Sequence, residues 1–227
     1  FLEGPKFGLG VLLWTATWWI TEATPLGLAA LVPPMLFCLS GLVPWKDALA
    51  SFTDPLIWVI MAGFLFAHAF HVWRLDERVT LSLMSLSRTR NPVVAGFFVA
   101  SLPVFFLTII GSITASTSIV YGFVLSFLAK QDLKKGSRYR SATLLALGQA
   151  STAGALIFLT STPPNLIAKK TIETFTSIDL TFIDWFIVGS VHALIGLILS
   201  WLLVYLIIKP EIKSLPLDQK LPRNELR

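Results

Sequence analysis

Long apolar segments follow one another along this chain, and they restrict the folds that it can adopt. Each run has about 18 residues, which is near the length that spans a hydrocarbon core of about 30 Å. Hydrophobic residues make up 55% of the 227 residues and the mean hydropathy is +0.74, more than a soluble core of this size needs. The short alternating segments of an outer-membrane barrel are absent. We therefore predict an all-α polytopic protein of the cell (inner) membrane with about six spanning helices.

The basic residues are clustered, and their positions predict which segments face the cytoplasm. Fourteen of the 18 lysines and arginines fall within residues 73–92, 130–140 and 209–227. Loops rich in Lys and Arg stay on the cytoplasmic side of a membrane. This topology accounts for the net charge of +5, so we predict the lipid bilayer as a partner and no nucleic acid. A single cysteine, Cys38, excludes a framework of disulfides.

The start of the chain is predicted to form two spanning helices joined by a turn. The apolar run 7–20 carries tryptophans typical of the membrane interface. Pro25 predicts the turn, and residues 26–43 form the second span, kinked at a proline pair. Residues 44–54 are predicted to be an external loop. The chain begins without an initiator methionine or a signal-peptide pattern, so we expect its natural N-terminus to lie further upstream.

The polar segments further along alternate between the two sides of the membrane. The segment that follows the third apolar run mixes arginine and serine with spaced leucines, which is typical of a short helix lying in the interface. A later segment has three carboxylates and no cation, as expected outside. The predicted order is a span at 56–72, an interfacial helix within 73–92, an outer loop at 171–184, a span at 185–208 and a cytoplasmic linker at 209–227.

Residues 93–129 are predicted to enter the membrane and return to the same side. Two apolar runs, 93–110 and 119–129, meet at a polar tip, residues 111–118, made of one glycine and clustered hydroxyls. Cations flank both ends, which places both on the cytoplasmic side. Irregular backbone is tolerated at membrane depth only when protein or a water-filled cavity surrounds it. The pattern favours a re-entrant hairpin, and a pair of plain spanning helices with a polar outer turn remains the alternative.

A second interruption is predicted at residues 160–165, inside an otherwise apolar stretch. Pro163 and Pro164 supply no N–H and should unwind the preceding turn, which frees carbonyls near residues 159–162. Free carbonyls and hydroxyls bind hard cations, whereas the N–H groups at a helix start near Thr114–Ser116 favour an anionic oxygen. Two such breaks are working parts of many secondary transporters, so the pair indicates a carrier of a small anion.

Four motifs resemble those of the divalent anion:sodium symporter family, which carries dicarboxylates, citrate and sulfate. In chain order they are WWITEATPL at 18–26, AGFLFA at 62–67, SITA at 112–115 and TPPN at 162–165. The last part of the chain, with KPEIK at 209–213, is similar to the branch of citrate:succinate and 2-oxoglutarate:malate exchangers. The order and spacing of these motifs hold across nearly the whole chain.

The resemblance implies a transporter with two inverted repeats, each with a re-entrant hairpin, that moves substrate by an elevator-like shift. It implies that this chain is the first repeat and that the second repeat of the same transporter completes the site. Residues 1–72 would be scaffold and oligomerisation helices of a homodimer. Residues 93–208 would be half of the transport domain, with the hairpin at 93–129 and the broken helix at 141–170.

The resemblance also assigns roles to individual residues. The residues implied to bind the substrate, a small organic dianion, are Ser112, Thr114, Thr162 and Asn165. Those implied to bind a sodium ion are Thr108, Ser112 and Ser161. The motif residues with a structural or functional role are Glu22, Pro25, Pro163 and Pro164.

Two positions depart from the family pattern and bear on the coupling ion. Ile113 stands where the family has an Asn whose amide serves both cation and substrate, and Ser161 stands where symporters usually carry Gly. Both changes argue against sodium coupling. They favour exchange, or else an inactive copy of the fold.

We predict secondary active transport of di- or tricarboxylates, with no enzymatic activity and no cofactor apart from sodium. The alternatives are a sulfate carrier and a non-transporting membrane protein that retains the fold. His68 and His71 have helical spacing that suits a metal, but nothing completes such a site, and an interhelical hydrogen bond is favoured. A hydrolase would need Ser112 beside a base such as His68, and no catalytic motif accompanies either.

Overall fold

The computed structural model describes residues 3–87, 89–131 and 133–215 of this chain, and every regular element in them is a helix. This confirms the all-α fold. The chain divides into two compact units, one up to Trp58 and the other from Val59 onwards. The predicted linker 209–227 lies outside the described residues beyond Leu215, as do Arg88 and Asp132.

The first unit contains helices α1 (Glu3–Thr21), α2 (Leu26–Leu39) and α3 (Trp45–Ala50), followed by a 3₁₀ turn. Helix α2 runs through its two prolines and ends at Leu39, earlier than predicted, because Gly41 then turns the chain with a φ of +71°. The predicted loop 44–54 is wrong, since it contains α3. The carbonyl of Pro44 accepts the N–H groups of Asp47 and Ala48, and the Asp47 carboxylate suits a first turn.

Helices α4 (Pro55–Val72) and α5 (Leu75–Met84) form a bent pair, with 70° between the two axes. Arg74 makes the bend with a φ of +52°. The His71 imidazole lies 3.1 Å from the carboxylate of Asp76, which is buried at the start of α5. A short helix therefore lies within 73–92, and its location in the membrane interface stays a prediction.

The first arm of the hairpin is assembled from four helical pieces: α6 (Pro92–Gly96), a π turn (Phe97–Ser101), α7 (Leu102–Leu107) and a 3₁₀ turn (Thr108–Ile110). Asn91 caps its start by accepting the N–H of Val93 at 2.9 Å. Pro103 has no N–H to offer the carbonyl of Val99, four residues earlier, which explains why the arm widens into a π turn here.

The second arm is one helix, α8 (Ile113–Ala129), and it begins inside the polar tip. Only Gly111 and Ser112 stand outside the helices, so the interruption is shorter than the predicted polar tip 111–118, and the helix starts slightly before the predicted Thr114–Ser116. The physical reason is capping: the Ser112 hydroxyl accepts the N–H of Ala115 at 3.2 Å and starts the helix.

The broken helix comprises α9 (Arg138–Gly154), a 3₁₀ turn (Leu159–Ser161) and α10 (Pro163–Thr176), and α11 (Phe182–Ile208) follows. The break spans residues 155–162, so it begins earlier than the predicted 160–165. Pro163 and Pro164 belong to the first turn of α10, where a helix leaves its N–H groups unpaired and proline fits. The outer loop shortens to 177–181, because a capping box of Thr181 and Asp184 starts α11 early.

The core of the second unit lies between the hairpin, α9 and α11. Fully buried side chains from these elements include Val99, Val104, Phe105, Val120, Val124, Leu147 and Leu197. A Cβ built on Gly96 would lie 1.8 Å from the Tyr205 hydroxyl, so only glycine lets α6 approach α11 this closely.

Two of the described helical segments are long and apolar enough to cross a membrane, Pro92–Ile110 and Phe182–Ile208. The number rises to three if the bent pair Ile57–Val72 and Leu75–Met84 forms one span. Leu26–Leu39 and Ile113–Ala129 are apolar but shorter. The prediction of about six spans rests on apolar run lengths alone and stays a prediction.

Candidate functional site

The turn of the hairpin presents the start of α8 as a source of N–H groups. Gly111 adopts a φ of +85°, a left-handed conformation that favours glycine, and it reverses the chain between the two arms. Ser112 then uses its hydroxyl for Ala115 and its carbonyl for the N–H of Ser116. The N–H groups of Ile113 and Thr114 have no partner within the helix. They form, with the positive end of the helix dipole, a position suited to a carboxylate oxygen.

Ser116 fixes the two arms of the hairpin together, and sequence reasoning did not single it out. Its buried hydroxyl donates to the carbonyl of Leu107 at 2.8 Å, across the turn. Because Leu107 precedes the 3₁₀ turn, this bond holds the last turn of the first arm against the first turn of α8. The only sequence signal was the density of hydroxyls in the polar tip.

The break between α9 and α10 is stabilised by side chains that replace the missing backbone hydrogen bonds. The amide nitrogen of Asn165, which is buried, donates to the carbonyls of Ala155 at 2.7 Å and Phe158 at 2.9 Å. The indole of Trp185, on α11, donates to the carbonyl of Leu156 at 3.1 Å. Asn165 was selected from the sequence, whereas Trp185 was missed because its contact lies on another helix.

The last residues of the break contain polar groups for which the described residues offer no partner. The carbonyls of Leu159 and Thr160 precede the extended residue Thr162, and Pro163 and Pro164, four residues further on, carry no N–H that could pair with them. The Ser161 hydroxyl is fully buried and has no hydrogen-bond partner among the described residues. Buried hydroxyls without partners are rare in proteins, so this group is a candidate ligand for a cation.

The two breaks lie against each other inside the second unit. The buried Thr108 hydroxyl lies 2.7 Å from the Phe105 carbonyl oxygen and 2.9 Å from that of Gly154, where α9 ends. A Cβ built on Gly111 would lie 3.1 Å from the Thr160 carbonyl oxygen and 3.9 Å from the Cα of Gly63. The turn of the hairpin therefore contacts the break directly, with α4 passing beside both.

Glycines permit this close approach, and two of them were not predicted. A Cβ on Gly154 would lie 2.8 Å from the Phe105 carbonyl oxygen, and one on Gly189 would lie 2.3 Å from that of Leu156. A cavity of about 460 Å³ opens beside the contact and is lined by Gly63, Ile110 and Thr160 among others. The run of small residues 150–155 was the one sequence signal for close packing here.

The structure places the other predicted site residues around this contact. Ser112 and Thr162 are half-buried, whereas Thr114 and the two prolines of α10 are exposed. Among the described residues, no hydrogen bond joins Ser112 or Thr114 to Thr162 or Asn165. The breaks are thus brought together through Gly111 and Thr108.

Glu22 and Pro25 lie in the first unit, where they shape a turn. Glu22 follows α1 with a φ of +50°, and Pro25 starts α2 by accepting the N–H groups of Leu28 and Ala29 through its carbonyl. Their role in function stays a prediction. His71, in contrast, makes an interhelical hydrogen bond as predicted, and its partner is Asp76. The described residues contain no group of three side chains that could hold a transition metal.

Electrostatics of the site are governed by dipoles, because formal charges are missing from the segments that contain the two breaks. Residues 91–129 and 141–168 contain no Asp, Glu, Lys, Arg or His. The cation nearest in sequence to the break, Lys169, pairs with Glu173 one helical turn further on. This pairing, together with the N–H of Leu180, holds the pKa of the Glu173 carboxyl below its usual value. A bound anion would therefore meet N–H groups and hydroxyls without a basic side chain from these segments.

Comparison with known proteins identifies relatives along nearly the whole chain. A family described as the sodium:sulfate symporter transmembrane region matches residues 6–227. The sodium-dependent dicarboxylate transporter SdcS of Staphylococcus saprophyticus is 31% identical over 230 residues, covering 97% of this chain and 44% of the relative. The transporter of the same name from Staphylococcus aureus strain USA300 is 30% identical over 228 residues, covering 96% and 43%.

These relatives are transporters and not enzymes, and this chain spans less than half of their length. The match to the family extends from the first helix to the end of the chain, and it includes both breaks. The motifs at 18–26, 112–115 and 162–165 had indicated the same family. This chain belongs to the sodium:sulfate symporter family of membrane transporters, the divalent anion:sodium symporters.

Proposed function

We propose that this chain is the first half of a secondary active transporter for dicarboxylates. One substrate carboxylate would bind at the start of α8, at the N–H groups of Ile113 and Thr114 and the hydroxyls of Ser112 and Thr114. Thr162 and Asn165 would face it from the second break, with the two prolines of α10 fixing the break. The second repeat of the same transporter would supply the remaining half of the site.

The observation that carries this proposal is the contact between the two breaks at Gly111 and Thr160. An unwound segment with free carbonyls and a helix start with free N–H groups, placed side by side, can accept a cation and an anion together. The relatives named sodium-dependent dicarboxylate transporters support the carboxylate as the substrate class.

The lack of charged side chains in both breaks supports sodium as the coupled ion. Moving a dianion out of water without a compensating charge is very costly. A sodium ion bound by the hydroxyls of Thr108, Ser112 and Ser161 and by nearby carbonyls would supply that charge, since hydroxyl and carbonyl oxygens suit hard cations. The replacement of the family's Gly by Ser161 argues against sodium from the sequence alone, but the buried Ser161 hydroxyl has no partner among the described residues and is therefore a ligand that supports sodium here.

A second candidate is exchange of dicarboxylates or tricarboxylates such as citrate, without sodium. Ile113 favours it, because an apolar side chain at the first position of α8 removes an amide ligand that the family pattern supplies there. Sulfate is a further candidate substrate, because the family that matches this chain is described by sodium:sulfate symport. An inert copy of the fold would carry none of these anions.

Alternating access follows from the same arrangement. We infer that residues 93–208 move as half of a transport domain in an elevator-like shift, while residues 1–72 contribute a scaffold and a homodimer interface. The interfacial helix within 73–92 would connect the two parts, in the inner membrane of the cell. The 70° bend between α4 and α5 supports this connection, since a sharp change of direction suits a helix that leaves the membrane core.

The test is uptake of labelled succinate, citrate and sulfate by the complete protein in proteoliposomes. We expect succinate uptake that rises with an inward sodium gradient. Uptake that ignores the gradient and requires internal dicarboxylate would establish exchange instead. No uptake of any of the three anions would contradict the carrier assignment.

A matched pair of variants tests the position of the site. Ser112→Ala removes a hydroxyl from the start of α8 and should lower succinate uptake at least about tenfold with unchanged expression, as loss of a hydrogen bond to a charged group predicts. Ser118→Ala removes an exposed hydroxyl one to two turns further on and should leave uptake unchanged. Equal uptake in both variants would contradict the proposed site.

A further inference from the structure

After α11 ends, the chain stays in contact with other helices of the second unit. Residues 209–215, called here the clamp segment, turn back along the ends of other helices. Lys209 makes the turn with a φ of +47°, directly after α11. The rest of the clamp segment has no regular structure, yet Glu211 and Leu215 form hydrogen bonds at the starts of other helices of the same unit.

Glu211 holds the clamp segment to the start of α9. Its carboxylate accepts the hydroxyl of Ser137, the capping residue of α9, and the backbone N–H of Tyr139 at 3.0 Å. A carboxylate at a helix start also meets the positive end of the helix dipole. Desolvation raises the pKa of the Glu211 carboxyl, but the hydrogen bonds from Ser137 and from backbone N–H groups outweigh it and hold the pKa below its usual value.

Leu215 holds the other end of the segment to the start of the hairpin. Its N–H donates to the carbonyl of Arg90 at 2.9 Å, one residue before the Asn91 that caps α6. Its side chain is buried in the core of the second unit, and Ile212 packs against the same core. The clamp segment thus joins the end of α11, the start of the broken helix and the start of the hairpin.

We propose that Glu211 is a positioning residue for transport: its carboxylate closes the clamp segment over the starts of α6 and α9, so that hairpin and broken helix move as one body. The proposal rests on the proposed transport function, because a rigid body is needed only if the two breaks travel together. Closure requires the charged form of Glu211, since the carboxylate accepts both donors.

The charges around Glu211 favour that form. Lys134 and Lys135 in the preceding loop and Arg138 at the start of α9 line the same pocket as Glu211. On its own segment the charged neighbours are Lys209 and Lys213, and Arg90 lies at the start of the hairpin. All of these are cations. Because the pKa of Glu211 is held below its usual value, closure is complete at neutral pH and is lost only as the pH falls through that lowered pKa.

The first experiment measures, without using transport, whether the clamp segment is closed. In the complete protein, with Cys38 and every other native cysteine replaced by Ala, we introduce either Leu215→Cys, at a position buried by the clamp segment, or Ser214→Cys, at its exposed neighbour. The ratio of their labelling rates with a maleimide cancels the effect of pH on thiol reactivity. Adding Glu211→Gln should raise the labelling rate of Leu215→Cys relative to that of Ser214→Cys about fivefold at neutral pH. A change of this size is expected for the loss of a helix cap. With Glu211 intact the ratio should rise only at acid pH, and with Glu211→Gln it should not depend on pH.

The second experiment measures succinate uptake. Glu211→Gln should lower the maximal uptake rate about fivefold with an unchanged KM, because Glu211 does not touch the substrate. Asp179→Asn, which removes an exposed carboxylate from the loop before α11, should change neither value. If Glu211→Gln does not fold, Ser137→Ala removes one of the two donors and should change both readouts in the same direction by less.

Three results would overturn the inference. The first is an unchanged labelling ratio in both variants, and the second is a raised ratio with uptake equal to that of Asp179→Asn. The third is a parent protein that carries no succinate, which refutes the proposed function and with it the transport role of Glu211. In that case the labelling ratio still shows whether the clamp closes, so the two failures are distinguishable.

Discussion

The first arm of the hairpin, Pro92–Ile110, and helix α11, Phe182–Ile208, share a mean hydropathy of 2.5. Their structures differ in regularity and in burial. The first arm changes helix type three times within 19 residues, and 61% of its most apolar stretch is buried inside the chain. Helix α11 runs unbroken for 27 residues, and only 17% of its most apolar stretch is buried.

The difference shows that irregular backbone occurs where other parts of the protein surround it. Each change of helix type leaves carbonyls without their usual partners, and such groups are tolerated in a membrane only where protein or water meets them. In the first arm, Ser116 and the glycine contacts supply that cover. Helix α11 satisfies its own backbone, so its exposed apolar side chains suit lipid or a partner helix.

The largest effect is expected from Asn165→Ala, which removes a hydrogen-bond donor to carbonyls of the second break. It leaves the Ala155 carbonyl without its donor and removes one of the two donors to the Phe158 carbonyl, which still accepts the N–H of Ser161; a buried unsatisfied group costs about 1–3 kcal/mol. We expect a clear fall in the thermal unfolding temperature in detergent, together with loss of uptake. Gln149→Ala truncates an exposed amide on α9 and should change neither.

A smaller effect is expected from Gly154→Ala, which tests how closely the broken region must pack. The new methyl group would press on the Phe105 carbonyl and the Thr108 hydroxyl, and overpacking of this kind costs about 1–3 kcal/mol. Gly148→Ala, on the same helix with open space around it, should be neutral or stabilising. Equal unfolding temperatures for the two variants would show that the first arm is not packed against α9.

Ser116→Ala should have a moderate effect confined to the hairpin. Loss of its hydrogen bond to the Leu107 carbonyl should destabilise the fold by about 1 kcal/mol. The matched variant Ser118→Ala changes an exposed hydroxyl and should leave the unfolding temperature within error. A fall of the same size in both would mean that the two arms are not joined at Ser116.

The smallest effect concerns the loop between the broken helix and α11. Glu173 accepts hydrogen bonds from Lys169 and from the N–H of Leu180, and the pKa of its carboxyl is lowered by both. The stabilisation is therefore present above the usual Glu pKa and is lost as the pH falls through the lowered value. Hydrogen exchange of the Leu180 amide, measured against Glu173→Gln at each pH, should show protection at neutral pH that disappears in acid. Protection that is the same in both proteins would contradict this contact.

The sequence was sufficient to predict features that depend on neighbouring residues. Proline chemistry located the second break near Pro163 and Pro164, and the clustered hydroxyls located the turn of the hairpin. The helix start at Ile113 follows from Ser112 as a cap, whereas the sequence predicted the helix start slightly later, near Thr114–Ser116. The sequence predicts a loop at 44–54, because a helix of six residues such as α3 is too short to show a periodic pattern.

Contacts between distant segments were beyond the sequence. The break begins directly after Gly154, where α7 and α11 pack closely against the chain, through Phe105 on one side and Gly189 near Leu156 on the other. Trp185 supplies a donor to the break from 29 positions away. No local pattern records such pairs, so the break was predicted several residues too late and its second donor was missed.

The most direct test of the account asks whether one substrate covers both breaks. In the complete protein, with Cys38 and every other native cysteine replaced by Ala, Thr114→Cys reports on the hairpin and Thr160→Cys on the break, while Thr152→Cys on the exposed side of α9 is the control. We predict that succinate slows maleimide labelling of the first two cysteines with the same half-protecting concentration and leaves the third unchanged. Protection of one break without the other, or of neither, would contradict a shared site at the contact between Gly111 and Thr160.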